Sequence, residues 1–267
     1  MIKEIIVGID GSEESLNAYK SACILSKNTG ALIRVLYVID QRRTELPYMY
    51  STTFFDLSYE KIYIPPDQEL LSFYKKLRKD MEKFGKNCLE TVKDMNCPSV
   101  SPPETELAEG IPFDIIIEKT GEESMILLGQ YGENKSYHKN ILGSTVEEVI
   151  RKSDVPVMVC SHPVTSIRNI ACFDDGSSSY QSVKNYIDSN FSKEKVNITR
   201  YVQRSDVETE DTVHIKNEAE LLEAVEKEKY DIVLIGAHGK HKVTEYLLGS
   251  HAVHLVRKSS CPVIIVK

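Results

Sequence analysis

The sequence predicts two doubly wound α/β units in tandem, and three observations carry that prediction. The second half of the chain matches the first; short runs rich in Ile and Val alternate with helical stretches; and each copy carries a glycine-and-serine turn between a strand and a helix. Continuous apolar runs of four to six residues, separated by helices, mark parallel strands covered on both faces. Their alternation with helices places them in open α/β sheets.

The duplication is visible at both ends of the unit. Ile5-Ile6-Val7-Gly8-Ile9-Asp10-Gly11-Ser12 matches Ile170-Ala171-Cys172-Phe173-Asp174-Asp175-Gly176-Ser177, an apolar run that ends in Asp-Gly-Ser both times. Met125-Ile126-Leu127-Leu128-Gly129 matches Ile232-Val233-Leu234-Ile235-Gly236, and Ser153 to Val159 matches Ser259 to Ile265 with its proline in register. The first unit, 1–162, then has strands at 3–9, 32–39, 103–108, 125–129 and 155–160. The second, 167–267, has them at 168–173, 196–202, 212–215, 232–236 and 262–266.

Helices fill most of the gaps. The longest spans 67–96, where Leu70, Tyr74, Leu77, Met81, Phe84, Cys88, Val92 and Met95 recur at three- and four-residue steps, so the helix should lie across the sheet on one apolar stripe. In the second unit only Gln203 to Asp211 separate strands two and three. A parallel crossover ordinarily needs a dozen or more residues, so that helix is predicted to be missing.

Composition sets the remaining bounds. The chain has 267 residues, 41% hydrophobic and 27% charged, with a formal net charge of -7. It can bury a core and has no basic block to neutralise a nucleic-acid backbone. No run reaches the roughly 18 apolar residues of a membrane span, so the expectation is a cytoplasmic protein with neither nucleic acid nor membrane as partner. Cys23, Cys88, Cys97, Cys160, Cys172 and Cys261 are scattered, mostly among apolar neighbours, and read as buried, reduced thiols.

The chemistry lies in the glycine turns. Gly236-Ala237-His238-Gly239 is followed after nine residues by Gly249-Ser250; Gly129-Gln130-Tyr131-Gly132 is followed after ten by Gly143-Ser144-Thr145. Glycines let backbone N–H groups face phosphate oxygens with no Cβ in the way, and a helix N-terminus adds unpaired donors and the positive end of its dipole.

At these residues the chain resembles the universal stress protein family in its tandem form, over nearly all of its length apart from about 40–102. The resemblance implies a five-stranded sheet of order 3-2-1-4-5 in each unit. It also implies ATP or AMP, with or without magnesium, held between the end of strand one and the glycine loop. Carried over by position, Asp10 and Asp175 face the adenosine, and Val38 and Val202 lie beside adenine. The phosphates meet Gly129, Gly132, Gly143, Ser144 and Thr145 in one unit, and Gly236, Gly239, Gly249 and Ser250 in the other. The family pairs its last strands across a two-fold axis, so Val155 to Cys160 and Pro262 to Lys267 should pair with each other as an internal pseudo-dimer. Further homodimerisation is left open.

Simpler roles stand beside these. Ser144 and Glu147 have the spacing of a capping box, so Ser144 either caps its helix or contacts phosphate. Ser250 has Val253 in the corresponding place and is freer for a ligand, which together with the regular loop ranks the second unit's phosphate grip above the first's. Asp10 and Asp175 also suit a local turn. His238, His241, His251 and His254 cluster in sequence, yet no carboxylate or cysteine clearly completes a set, and no metal site is predicted. The aromatic stretch from Tyr48 to Tyr63 reads as a lid, or as a segment packed on its own domain.

No G-x4-G-K-[ST] loop occurs, and nothing ties Glu133 to an attacking water, so no catalytic residue is assigned. The expected function is an adenine-nucleotide-binding regulatory protein of the stress response, non-catalytic or very slow in hydrolysis. The alternatives are a structural, partner-binding tandem protein with degenerate pockets and a weak ATPase or self-phosphorylating enzyme.

Overall fold

Ile5, Ile6 and Val7 are almost completely buried, which a strand achieves only with neighbours on both edges and helices over both faces. In a computed structural model, residues 1–45, 68–132, 142–174, 179–192, 194–203, 212–237 and 250–267 are described. The Tyr48 to Tyr63 stretch lies outside them, as do Asp175, Gly239 and Gly249.

The first unit runs β1 (Glu4–Ile9), α1 (Glu13–Thr29), β2 (Leu32–Asp40), α2 (Gln41–Thr44), α3 (Gln68–Asp94), β3 (Glu104–Gly110), α4 (Pro112–Glu118), β4 (Ser124–Gly129), α5 (Ser144–Lys152) and β5 (Val157–Cys160). The second runs β6 (Asn169–Asp174), α6 (Ser179–Asn190), β7 (Asn197–Val202), β8 (Thr212–His214), α7 (Glu218–Glu228), β9 (Ile232–Gly236), α8 (Ser250–Lys258) and β10 (Val263–Val266). Among the described residues no helix lies between β7 and β8, as their short separation requires.

All ten strands form one sheet in the order β3-β2-β1-β4-β5-β10-β9-β6-β7-β8. Each unit therefore has the order 3-2-1-4-5, with every pair inside a unit parallel. The seam is the antiparallel pair β5 and β10, with Val159 opposite Val263, Met158 opposite Ile264 and Val157 opposite Ile265. All six side chains are buried. Left unpaired, either strand would be an apolar edge open to association, so pairing within the chain removes two edges at once.

Two apolar layers cover the sheet, and each runs through both units. One face holds Tyr19 and Leu25 of α1, Leu89 and Val92 of α3, and Val183 and Ile187 of α6. The other holds Ile116 of α4, Val149 and Ile150 of α5, Leu221 of α7 and Leu255 of α8. Local signals set the helix ends. The Ser12 hydroxyl accepts from the Ser15 N–H and caps α1, which Gly30 ends at a φ of 81°.

The stripe on α3 is only half used. Its C-terminal part buries Gly85, Leu89 and Val92, whereas Phe73 remains 58% exposed. A methyl group on Gly85 would stand 2.4 Å from the Tyr37 ring, so glycine sets how closely α3 crosses β2.

The expectation of six reduced thiols is corrected. Cys23 of α1 and Cys97, just past α3, form a disulfide, while Cys88, Cys160, Cys172 and Cys261 remain thiols. The long α3 carries the chain back over α1 and brings two cysteines 74 positions apart to a Cα separation of 5.4 Å, within bonding range. Scattered spacing in the sequence hides that approach.

Candidate functional site

Strand order reverses between β1 and β4, because β2 lies on one side of β1 and β4 on the other. In open α/β sheets a crevice forms outside the carboxyl ends of the strands at such a point. A cleft of about 460 Å³ lies there, and Asp10, Val38, Gly129, Gly132, Gly143, Ser144 and Thr145 all line it. Leu36, Ile116, Leu128 and Leu142 give it apolar walls, and Arg42 and Arg43 stand where the chain leaves β2. Both its size and its mixture of apolar wall with a few polar groups suit a small organic ligand.

Asp10 is fixed by its own turn. One carboxylate oxygen accepts from the Ser12 N–H at 2.9 Å and from the Ser12 hydroxyl at 2.6 Å. Gly11 makes the turn possible with a φ of 87°. The other oxygen faces the glycine loop, 3.0 Å from where a methyl group on Gly132 would stand. The local-turn role and an orientation toward the cleft thus coexist in one side chain.

Gly129 ends β4 against the first turn of α1. A methyl group there would lie 2.6 Å from the Glu14 carbonyl carbon and from the Ser15 nitrogen, so the two backbones pack with no side chain between them. The Gly143 N–H donates to the Gln130 carbonyl at 3.3 Å and draws the start of α5 onto the loop. Unpaired N–H groups of the first turn of α5 then border the cleft beside the hydroxyls of Ser144 and Thr145.

The capping box does not form. Gly143 occupies the N-cap of α5 with no side-chain cap bond, and the Glu147 carboxylate accepts from Arg257 of α8 at 2.6 Å instead. The partner comes from the other unit, which a local spacing rule cannot see. Ser144 is left exposed at the cleft.

At the other end of the cleft Arg42 makes two bonds to Asp40, at 2.9 and 2.7 Å. The hydrogen bond to the Asp40 carboxylate holds the guanidinium pKa above its ordinary value. Neither arginine was singled out in the sequence; their place just after the end of β2 was the available signal.

The second unit is built differently at the same position. By sequence Gly8 corresponds to Phe173, and Leu36, opposite Gly8, corresponds to Tyr201, opposite Phe173. Gly8 and Leu36 line the first cleft, and Leu36 belongs to the same buried apolar layer that holds Phe173 and Tyr201 in the second unit. The Tyr201 hydroxyl lies 3.0 Å from that of Tyr230, and burial pushes its pKa above the usual phenol range. Strand register makes Gln203, not Val202, the counterpart of Val38, and Val202 is fully buried beside Asp174.

Gly236 abuts Ser179, whose hydroxyl would stand 2.3 Å from an added methyl group. Ser250 opens α8, but its side chain is outside the described set, as are Gly239, Gly249 and Asp175. Among the described residues no group of three or more His, Cys, Asp or Glu is placed to hold a metal.

The fold and cleft define a class: a doubly wound α/β protein, built twice in one chain, with a glycine-bordered crevice at a topological switch point. The chain belongs to the universal stress protein family, whose sequence profile matches residues 1–161 and again 163–267. It is 25% identical to a universal stress protein of Synechocystis sp., over 98% of this chain and 99% of that one. A universal stress protein of Methanocaldococcus jannaschii is 28% identical over 61% of this chain and 84% of its own length. The crystal structure of a universal stress protein from Archaeoglobus fulgidus superposes with a TM-score of 0.65 at 18% identity, covering 99% of this chain and 98% of that one. At that identity the likeness is one of fold. No helix among the described residues is long and apolar enough to cross a membrane.

Proposed function

We propose that the chain is a regulatory protein of the stress response that holds one adenine nucleotide, ATP or AMP, in the first unit's cleft and hydrolyses it slowly or not at all. The observation that carries this reading is the convergence of Asp10, Val38, Gly129, Gly132, Gly143 and Ser144 on one cleft of about 460 Å³. Membership of a family associated with nucleotide binding and stress response supports the ligand class.

In this reading adenosine lies between Asp10 and Val38. The backbone donors at Gly132 and Gly143 and the hydroxyls of Ser144 and Thr145 receive the phosphates at the start of α5. Among the described residues the carboxylates that line the cleft are Asp10 and Asp40, each held by its own turn, so magnesium would be carried chiefly by the phosphates themselves.

The second unit is assigned a structural role, because the buried Phe173 and Tyr201 stand where Gly8 and Leu36 border the first unit's cleft. This reverses the ranking drawn from the regular loop spacing and the freer Ser250. Spacing describes the rim of a site, and the side chains below it decide whether there is room.

The test is chromatography of nucleotide retained on the purified protein, followed by phosphate release over hours. Close to one nucleotide per chain with negligible release is expected. Absence of nucleotide, together with no rise in melting temperature on adding ATP, would refute the reading. Two nucleotides per chain would restore the second site.

A further inference from the structure

We propose that the second unit acts as a positioning element for the first unit's cleft, with Gln130 and Arg257 as the residues through which it acts. The proposal rests on the nucleotide reading of that cleft. Gln130 lies inside the loop between Gly129 and Gly132, and its side chain is buried, 3% exposed. Its side-chain amide donates to the Val256 carbonyl of α8 at 2.6 Å. Its own N–H donates to Cys160 at 3.0 Å, and its carbonyl accepts from Gly143 at 3.3 Å. A single residue thus ties the loop to the seam strand, to the start of α5 and to the other unit.

Val256 lies in the last turn of α8, where carbonyls lack helical partners and the dipole is negative. A buried amide donor is well matched to that acceptor, and losing it would leave a buried carbonyl unsatisfied. The same turn supplies Arg257, which binds Glu147 in the first turn of α5. Lys267, just past β10, donates to the Ile150 carbonyl near the other end of α5. The second unit therefore grips both the loop and the helix that border the cleft.

The arrangement is not symmetric: the Ile150 carbonyl, the counterpart of the Val256 carbonyl, takes its donor from Lys267 rather than from the second unit's loop. Ala237 stands in the second unit where Gln130 stands in the first, and Val253 stands where Glu147 does. Neither side chain can form the reciprocal bond. A symmetric seam would need both sets of contacts. This chain retains the set that serves the open cleft.

The experiment is calorimetric titration of ATP and of adenosine into the full chain and into Gln130→Met and Arg257→Met. Met keeps the length and apolar volume of Gln but has no donor, so about a tenfold loss of ATP affinity is expected in Gln130→Met. Adenosine affinity should be unchanged, because adenosine does not reach the phosphate loop. Arg257→Met should lose about twofold, since its partner is half exposed. The charge exchange E147R with R257E should recover what R257E alone loses.

Wild-type ATP affinity in Gln130→Met, or equal losses for ATP and adenosine, would overturn the proposal. A wild-type chain that binds neither ligand would instead sink the nucleotide reading. Amide hydrogen exchange at Gly132 and Gly143 in the ligand-free chain then decides the coupling by itself. Faster exchange in Gln130→Met supports it, and unchanged exchange refutes it.

Discussion

Gly129→Ala puts the packing logic of the cleft to its hardest test. The added methyl carbon would lie 2.6 Å from two backbone atoms of α1, the Glu14 carbonyl carbon and the Ser15 nitrogen. Ordinary carbon contacts sit at about 3.5 to 4.0 Å, so roughly 1 Å of relief is required. A side chain could rotate aside, but here β4 is held between β1 and β5, with Gly129 itself in register with Cys160. The relief must therefore come from α1 moving as a body, and overpacking of this kind costs about 1–3 kcal/mol. Moving the first turn of α1 also moves Ser12 and Ser15, which hold Asp10 in its turn. Stability and nucleotide affinity should fall together. The control is Gly143→Ala, where the nearest atom would be Val146 Cγ2 at 3.6 Å and the φ of −58° suits alanine. Its stability should change by less than about 0.5 kcal/mol. Urea unfolding of both variants reads the difference as a shift in midpoint. Equal midpoints for the two variants would refute the close approach of β4 and α1.

Other outcomes are specific enough to check. Thiol titration of unfolded, unreduced protein should find the four thiol cysteines and not six; six would contradict the Cys23–Cys97 bond and favour a reducing compartment. In the folded protein burial pushes the Cys160, Cys172 and Cys261 thiols up to about 12. These three should therefore resist alkylation at pH 8 until the chain unfolds, and rapid native labelling of all of them would show the interior to be open. Burial lowers Lys267 to about 8, against the weaker opposing charge of Asp154. Its charged form disfavours folding, fully below pH 8, and that penalty fades as pH rises from about 8 toward the unfolded value of 10.5. The urea midpoint of wild type should accordingly gain on that of Lys267→Met between pH 7 and pH 9.5; a gap that does not change with pH would contradict the burial.

Most of the architecture was legible because it is written in local patterns. Ile5 to Ile9, Met125 to Gly129 and Ile232 to Gly236 are apolar runs of strand length, and each became a strand within a residue or two of the expected bounds. The missing helix could be read from chain length alone. What could not be read depends on approach in space. Cys23 and Cys97 meet only because α3 doubles back, and Glu147 leaves its apparent capping partner for an arginine in the other unit. A different case is Phe173 in the place of Gly8, since that contrast was present in the duplicated run. It carried no weight until the structure showed that this column forms the floor of the cleft.

The tandem arrangement keeps the residues of the seam apart from those of the cleft. The seam uses Val157 to Val159, Val263 to Ile265 and the last turn of α8. The floor of the cleft uses a separate set, Gly8 and Leu36 in one unit and Phe173 and Tyr201 in the other. A methyl group on Gly8 would already meet Leu128 at 2.7 Å and Ile116 at 3.0 Å, whereas the second unit accommodates Phe173 there as buried core, and that apolar burial works in favour of the fold. The seam is untouched by that exchange. On the proposed reading the second unit holds no ligand, so no closure of its own competes with keeping its last helix at a fixed distance from the first unit's loop. The bond that the Gln130 amide donates to the Val256 carbonyl fits such a division of labour.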